Sequence, residues 1–382
     1  MTAQILHSDF DGLRFTVQSE ITPELRKELA LAKAHAKEHG HDIELRFGDV
    51  LLSVTQKGGR TFNTHTGELG AVWMFGDPQD RIPNNPGITV DFRALGLATG
   101  GLDHAEKHFR DVMAAMAIPY GEHQLRVSRV DFAVDILAPW FEPERIALVA
   151  PPGTKVTEYT GVDETVTQAT GGRVTGLRAG NIDNRQLAIY DKRGEVIQKA
   201  KDGWLAIWNA ERTACGQEPL DLSDRVTSQV WRFELRLGSK QLRDRFEMHS
   251  WADLRDCLGD AYDHALERIR YAIPTNDSNR ARWPAHELWV LFRDTIGQDL
   301  AVHCCGVQPS DVIFANRTAK MRELDQQLLG LFVTRAAISD VPPDEFYDFM
   351  DQHTEALRRN SEEHPKTLEE RLQKAGGKYR WT

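Results

Sequence analysis

Three short segments constrain the fold of this 382-residue chain more than anything else in it, because each alternates apolar and charged residues with the period of a strand. In Arg129-Val130-Asp131-Phe132-Ala133-Val134-Asp135-Ile136, the apolar Val130, Phe132, Val134 and Ile136 share one face. Arg129, Asp131 and Asp135 share the other. Trp231 to Leu237 repeats the pattern, with Trp231, Phe233, Leu235 and Leu237 opposite Arg232, Glu234 and Arg236. In Arg185 to Lys192, Leu187 and Ile189 face the core while Tyr190 and Lys192 point away from it. Strands with one apolar and one polar face belong to an antiparallel sheet covered on one side. The expected class is therefore α+β, with mostly antiparallel pairing.

Flanking signals fill in the rest. Strands are expected at Leu13 to Gln18, Ala71 to Phe75, Ile88 to Phe92, Gln124 to Leu137 and Gln229 to Leu237, with a hairpin around Gly48-Asp49 between Asp42 and Lys57. Thr22-Pro23-Glu24 opens a helix that stops at Gly40, and Asp103 caps another running to Ala117. Glu142 to Val149 reads as a short helix, Pro151 to Gly180 as exposed strands or loops, and a helix passes through Ile197, Trp204, Ile207 and Trp208. Beyond Phe246 the period becomes helical, with Trp251, Leu254, Leu258, Ala261, Tyr262, Ala265 and Ile269 in one stripe. Further helices are expected near Ala285 to Leu300, Arg317 to Ile338 and Asp344 to Asn360. This divides the chain into an α+β body (1–246), a helical C-terminal part (247–360) and a polar, partly ordered tail (361–382).

A net charge of -10 argues against a protein that coats nucleic acid non-specifically, since counterion release needs bulk basicity. Arg and Lys gather between Gly171 and Arg245, so contact with a polyanion would be a patch. No apolar run reaches the roughly 18 to 20 residues of a membrane helix, and MTAQILHSDFDG has no leader pattern, so a cytoplasmic location without membrane contact is expected. Cys215, Cys257, Cys304 and Cys305 are irregularly spaced and read as reduced thiols. The glycines between Gly96 and Gly101 lack the Lys of a phosphate-binding loop. His35, His39 and His41 sit where a helix ends and are expected to serve its dipole rather than a metal. Trp204, Trp208, Trp283 and Trp289 are expected in the core.

A merely solvated sheet face would carry cross-strand ion pairs worth a few tenths of a kcal/mol each. It would not call for a phenol beside an ammonium with acids and arginines on neighbouring strands. That set suits phosphodiester cleavage by a tyrosine: Tyr190 as nucleophile, Lys192 near the attacked phosphate, carboxylates for a divalent cation, and Arg129, Arg232 and Arg236 as clamps. Arg173, Arg178 and Arg185 are candidates for backbone contact. Asp131 and Asp135 are about 13 Å apart along a regular strand, too far to share an ion, so Asp131 and Glu234 are the expected ligand pair and Asp135 an outer support. An all-oxygen site suits Mg²⁺ or Mn²⁺. Two alternatives keep the same residues: a two-metal nuclease with water as nucleophile and Tyr190 structural, and a non-catalytic DNA-binding protein of a mobile element.

The order R-x-D-x-x-x-D at Arg129 to Asp135, R-Q-L-A-I-Y-D-K-R at Arg185 to Arg193 and W-R-F-E-L-R at Trp231 to Arg236 resembles the Rep_trans family of replication initiation factors, which contains rolling-circle plasmid initiators and relaxases of conjugative elements. Thr275 to Arg280 before Trp283-Pro284 agrees, and the resemblance spans roughly residues 85 to 300. It implies a sheet body related to the rolling-circle nuclease (ferredoxin- or RRM-like) fold. It also implies a DNA strand transferase in which Tyr190 nicks one strand, leaves a 5′-phosphotyrosine and a free 3′-OH, and rejoins the ends. Asp131, Asp135 and Glu234 would serve Mg²⁺ or Mn²⁺. The implied partner is DNA, as a single strand or melted origin hairpin, with a helicase or other replication proteins beside it. One departure is Ala188, where family members often carry a basic residue.

Overall fold

The alternating strands assemble side by side in the computed structural model, which describes residues 2–79, 87–159, 173–297 and 309–378. In chain order the strands are β1 (Gln4–Gln18), β2 (Ile43–Phe47), β3 (Val50–Val54), β4 (Thr61–His65), β5 (Ala71–Gly76), β6 (Gly87–Phe92), β7 (Leu125–Leu137), β8 (Leu148–Val149), β9 (Val156–Tyr159), β10 (Gly176–Asn181), β11 (Arg185–Asp191), β12 (Val230–Gly238) and β13 (Arg270–Tyr271). The helices are α1 (Pro23–His39), α2 (Ala94–Ala115), α3 (Lys192–Gln198), α4 (Asp202–Ala214), α5 (Arg225–Ser228), α6 (Ser239–Leu242), α7 (Trp251–Leu266), α8 (Glu287–Ile296), α9 (Pro309–Ile338), α10 (Phe346–Glu362) and α11 (Leu368–Lys378). Eleven strands form one antiparallel sheet in the order β2-β3-β4-β5-β6-β1-β7-β12-β11-β10-β9, and β13 pairs with β8 apart from it. The fold is α+β with helices gathered towards the C-terminus.

The apolar face of the sheet is covered by α1, most of α2, α7 and α8, which join Leu13, Phe15, Val130, Phe132, Phe233 and Leu235 in one core. Thr22 caps α1, its hydroxyl oxygen accepting from the Leu25 N–H at 3.2 Å, and Gly40 ends it at φ 70°. The predicted stripe of α7 packs into this same core, and Tyr262 donates weakly to the Val130 and Leu235 carbonyls at 3.4 and 3.3 Å. The core therefore runs on past Phe246 through Ile296. A fragment ending near Phe246 should be insoluble. It would lose Trp251, Leu254, Leu258 and Tyr262, each worth about 1.5 to 3 kcal/mol, against a total margin of about 5 to 15 kcal/mol. Expression and sedimentation of the fragment check this; a soluble, cooperatively melting fragment would contradict it.

A second apolar cluster lies on the other face, where Leu6, Leu95, Val196, Trp204, Ile207, Trp208 and Val230 meet. It roofs one end of the polar face with α3, α4 and the start of α2.

Several elements differ from expectation for identifiable reasons. β1 starts at Gln4 rather than Leu13, because register shifts between Ile5 and His7 and between Phe10 and Gly12 break the period of two. α2 starts at Ala94, crossing a kink at Gly101 (φ 63°), so Asp103 lies inside the helix rather than at its cap. Glycine is required at 96, where a Cβ would stand 2.0 Å from the Leu69 carbonyl oxygen. The helix through Trp204 is two helices, α3 and α4. Glu142 to Val149 is a 3₁₀ turn (Arg145–Ala147) followed by β8, β4 was unforeseen, and the polar tail carries α11. Cys215 and Cys257 are free thiols, while Cys304, Cys305, Leu300 and Gly171 lie outside the described residues. Among the described residues no helix is long and apolar enough to cross a membrane.

Candidate active site

Strand order brings the three charged segments together, with β12 between β7 and β11, and β1 on the far side of β7. Antiparallel register then aligns the polar face in rows. His7, Asp135, Arg232, Tyr190 and Gly176 are successive cross-strand partners. Asp9, Ala133, Glu234, Ala188 and Arg178 form the next row, and Gly12, Asp131, Arg236 and Gln186 the third. β7 and β12 pair without a register shift, so Asp131 and Asp135 keep their full strand separation.

The first row is held by a buried ion-pair group. Arg232 donates from Nε and Nη2 to Asp135 Oδ1 and Oδ2 at 2.6 and 2.7 Å, and from Nη1 to Asp11, while Trp208 Nε1 donates to Asp135 Oδ2 at 2.8 Å. Arg232 and Asp135 are both 0% exposed, and the Trp204 ring lies 4.1 Å from the guanidinium. Burial opposes charge on Arg232, but Asp11 and Asp135 outweigh it and hold its pKa well above the usual value. Arg232 thus points inward as a brace for Asp135 and Asp11. Tyr190, directly opposite it, keeps partial exposure. Burial and then the Glu234 charge push the phenol pKa well above 10, so it rests protonated at neutral pH.

Asp131 and Glu234 sit diagonally across β7 and β12, both about 1% exposed. Burial and then the Glu234 charge push the Asp131 pKa up to about 7. Each carboxylate is also held by an arginine from its own strand. Arg129 Nε donates to Asp131 Oδ1 at 2.8 Å, and Arg236 donates to both Glu234 oxygens at 2.6 and 3.0 Å and to Gln186 Oε1 at 3.1 Å. Gly12 leaves space for Asp131, since a Cβ there would stand 2.7 Å from its Oδ2.

Lys192 opens α3 and is 3% exposed, with Nζ 2.7 Å from Glu195 Oε2, 4.7 Å from the Trp204 ring and 5.8 Å from the Tyr190 ring. Burial lowers its pKa, reinforced by Arg232. Arg178 lies on the Tyr190 face with its guanidinium over the Tyr159 ring at 5.0 Å. Arg185 shares its side of β11 with Leu187, and burial plus the charges of Arg268 and Arg245 lower its pKa, which places it at the rim of the opposite face from Tyr190. Arg173 pairs with Asp191 at 3.1 Å.

Sequence reasoning passed over three residues of β1 and one of α3. Asp11 is an acid of the Arg232 group, and Glu195 is the partner of Lys192. His7 is buried beside Trp204, ring centroids 5.2 Å apart, and burial lowers its pKa to about 4. Asp9 is 0% exposed and burial raises its pKa to about 8. The signal was the acid-rich run His7-Ser8-Asp9-Phe10-Asp11 ahead of an apolar alternation. At the end of α1, His35 and His39 are exposed and His41 is half-buried, with His39 Nδ1 2.9 Å from the His35 carbonyl. Among the described residues no group of three or more His, Cys, Asp or Glu is arranged to hold a metal ion.

No protein-family model and no curated protein matches the chain. Among solved structures it is similar to the rolling circle replication initiator protein from Geobacillus stearothermophilus, with a TM-score of 0.40 and 15% identity, covering 78% of this chain and 99% of that one.

Proposed function

We propose that the chain is a metal-dependent DNA strand transferase, of the replication-initiator or relaxase kind, that nicks one strand through Tyr190 and rejoins it. The observation that carries this reading is the register. It sets a partly exposed phenol opposite a braced arginine and on the same face as two buried carboxylates. In the reaction the Tyr190 oxygen bonds to phosphorus and the P–O3′ bond breaks, giving a 5′-phosphotyrosine and a 3′ oxygen that takes up a proton. Attack by that 3′-OH reverses the step and rejoins the strand.

Asp131 and Glu234 suit Mg²⁺ or Mn²⁺, since such ions are commonly held by one or two carboxylates together with substrate phosphate oxygens. When bound, the cation supplies positive charge that polarises the phosphate and eases loss of the phenol proton. Asp135 supports from behind through Arg232. Lys192, Arg129 and Arg236 offer cationic charge around the same face, and Arg178 flanks it.

Metal binding requires the Asp131 carboxylate unprotonated. Its raised pKa therefore makes protons compete below about 7, and affinity should fall about tenfold per pH unit beneath that value. Titration calorimetry with Mn²⁺ on the DNA-free protein measures it. Asp131→Asn should lose most of the affinity and the pH dependence, and a flat profile in the wild-type chain would contradict the assignment.

The function itself is tested by incubating the protein with a single-stranded oligonucleotide and Mn²⁺, then running a denaturing gel. A 3′-end label should migrate with the protein and a 5′-end label should appear in a short free strand. Free products from both ends would identify water as the nucleophile.

A further inference from the structure

The polar face continues beyond the acids into a groove of about 710 Å³ between β1, β7, the β10–β11 turn and α6. We propose that this groove is the track for the phosphodiester backbone of a single DNA strand leading away from the Asp131 end of the site, an inference that rests on the strand-transferase reading above.

The groove wall itself carries four guanidiniums, Arg14, Arg126, Arg129 and Arg243, and two acids, Glu20 and Asp183, with two further acids, Asp91 and Asp131, behind it. Arg14 and Arg129 are direct cross-strand partners, an arrangement of like charges that destabilises a sheet unless anions sit between them. Asp91 answers Arg14 and Asp131 answers Arg129. Arg126 and Arg243 have no carboxylate partner among the described residues; Arg126 donates only to the His123 and Leu125 carbonyls, at 2.6 Å each. Thr16, Ser128 and Ser239 add hydroxyls, and among the described residues no aromatic ring lines the groove. Cations and hydroxyls without stacking platforms suit a phosphate backbone rather than splayed bases.

Continuity with the site fixes the direction. Arg129 both lines the groove and holds Asp131, and Asp131 and Arg126 are at most about 17 Å apart along β7 at roughly 3.3 Å per residue, the register shift at Ser128 shortening the run and turning Arg126 to this face. A bound strand would therefore pass several phosphates along the groove. Arg232, by contrast, is sealed inside. The backbone contacts that β12 would otherwise share fall instead to Arg126 and Arg243, which no motif singles out.

The test is fluorescence anisotropy with a labelled oligothymidylate in EDTA, so that cleavage cannot intervene, over about 50 to 200 mM salt. Losing two phosphate contacts should make the slope of log K against log salt shallower by about 1.4, at about 0.7 per contact for a single strand, in Arg126→Ala/Arg243→Ala. The Arg126→Lys/Arg243→Lys protein should retain the wild-type slope, which separates lost charge from misfolding. An alanine pair with the wild-type slope, or a wild-type chain that does not bind the oligonucleotide, overturns the proposal. The gel assay with Mn²⁺ is run in parallel. A covalent adduct with an unaltered slope removes the groove and keeps the nucleophile, whereas a shallower slope without an adduct supports the groove and removes the nucleophile.

Discussion

Replacing Arg232 with alanine should cost about 3 to 5 kcal/mol of folding stability, the largest effect expected of any single polar substitution in the chain. The guanidinium is 0% exposed and meets Asp135 twice, Asp11 once and the Trp204 ring at 4.1 Å. Its removal leaves the fully buried Asp135 with the Trp208 indole N–H as its one side-chain donor among the described residues, and a carboxylate stripped of its counter-charge inside a protein is strongly unfavourable. Lysine should recover only part of the loss, since an ammonium cannot make the paired contact to both Asp135 oxygens. Urea unfolding of the two variants measures this. A loss below about 1 kcal/mol in Arg232→Ala would show that the group is loosely held and that Arg232 reaches solvent.

Tyr190→Phe should abolish the covalent adduct, a fall of at least about three orders of magnitude, while oligonucleotide affinity and melting temperature stay near the wild-type values. Only a hydroxyl is lost, and it belongs to a partly exposed ring. Among the described residues, Tyr262 and Tyr159 are the other phenols to weigh. Tyr262 is buried in the core under β7 and β12, and Tyr159 lies across Gly176 from Tyr190, two strands from β11 and under the Arg178 guanidinium. A Tyr190→Phe protein that still forms the adduct would transfer the chemistry to one of these.

Period-two alternation made the charged faces of β7, β11 and β12 legible in the sequence, and with them Tyr190, Asp131 and Glu234. Their juxtaposition was not, because alternation says which face a residue takes but not which strand lies beside it. Placing β12 between β7 and β11 is what buries Arg232 and turns a suspected clamp into a brace. The first half of β1 escaped for a local reason. Its two register shifts put His7, Asp9 and Asp11 on a strand whose residues no longer alternate cleanly. Trp204 and Trp208 were legible as core residues by their spacing, and they are buried. Their second duty, covering Arg232 and donating to Asp135, depends on α4 folding over the polar face.

The central claim, that Tyr190 is the residue joined to DNA, is met most directly by trapping the adduct formed with a single-stranded oligonucleotide and Mn²⁺, digesting it, and locating the nucleotide-bearing peptide by mass spectrometry. The modified peptide should contain Arg185 to Lys192, with the phosphonucleotide on Tyr190. A nucleotide on any other residue, or cleaved DNA without any modified peptide, would contradict the account.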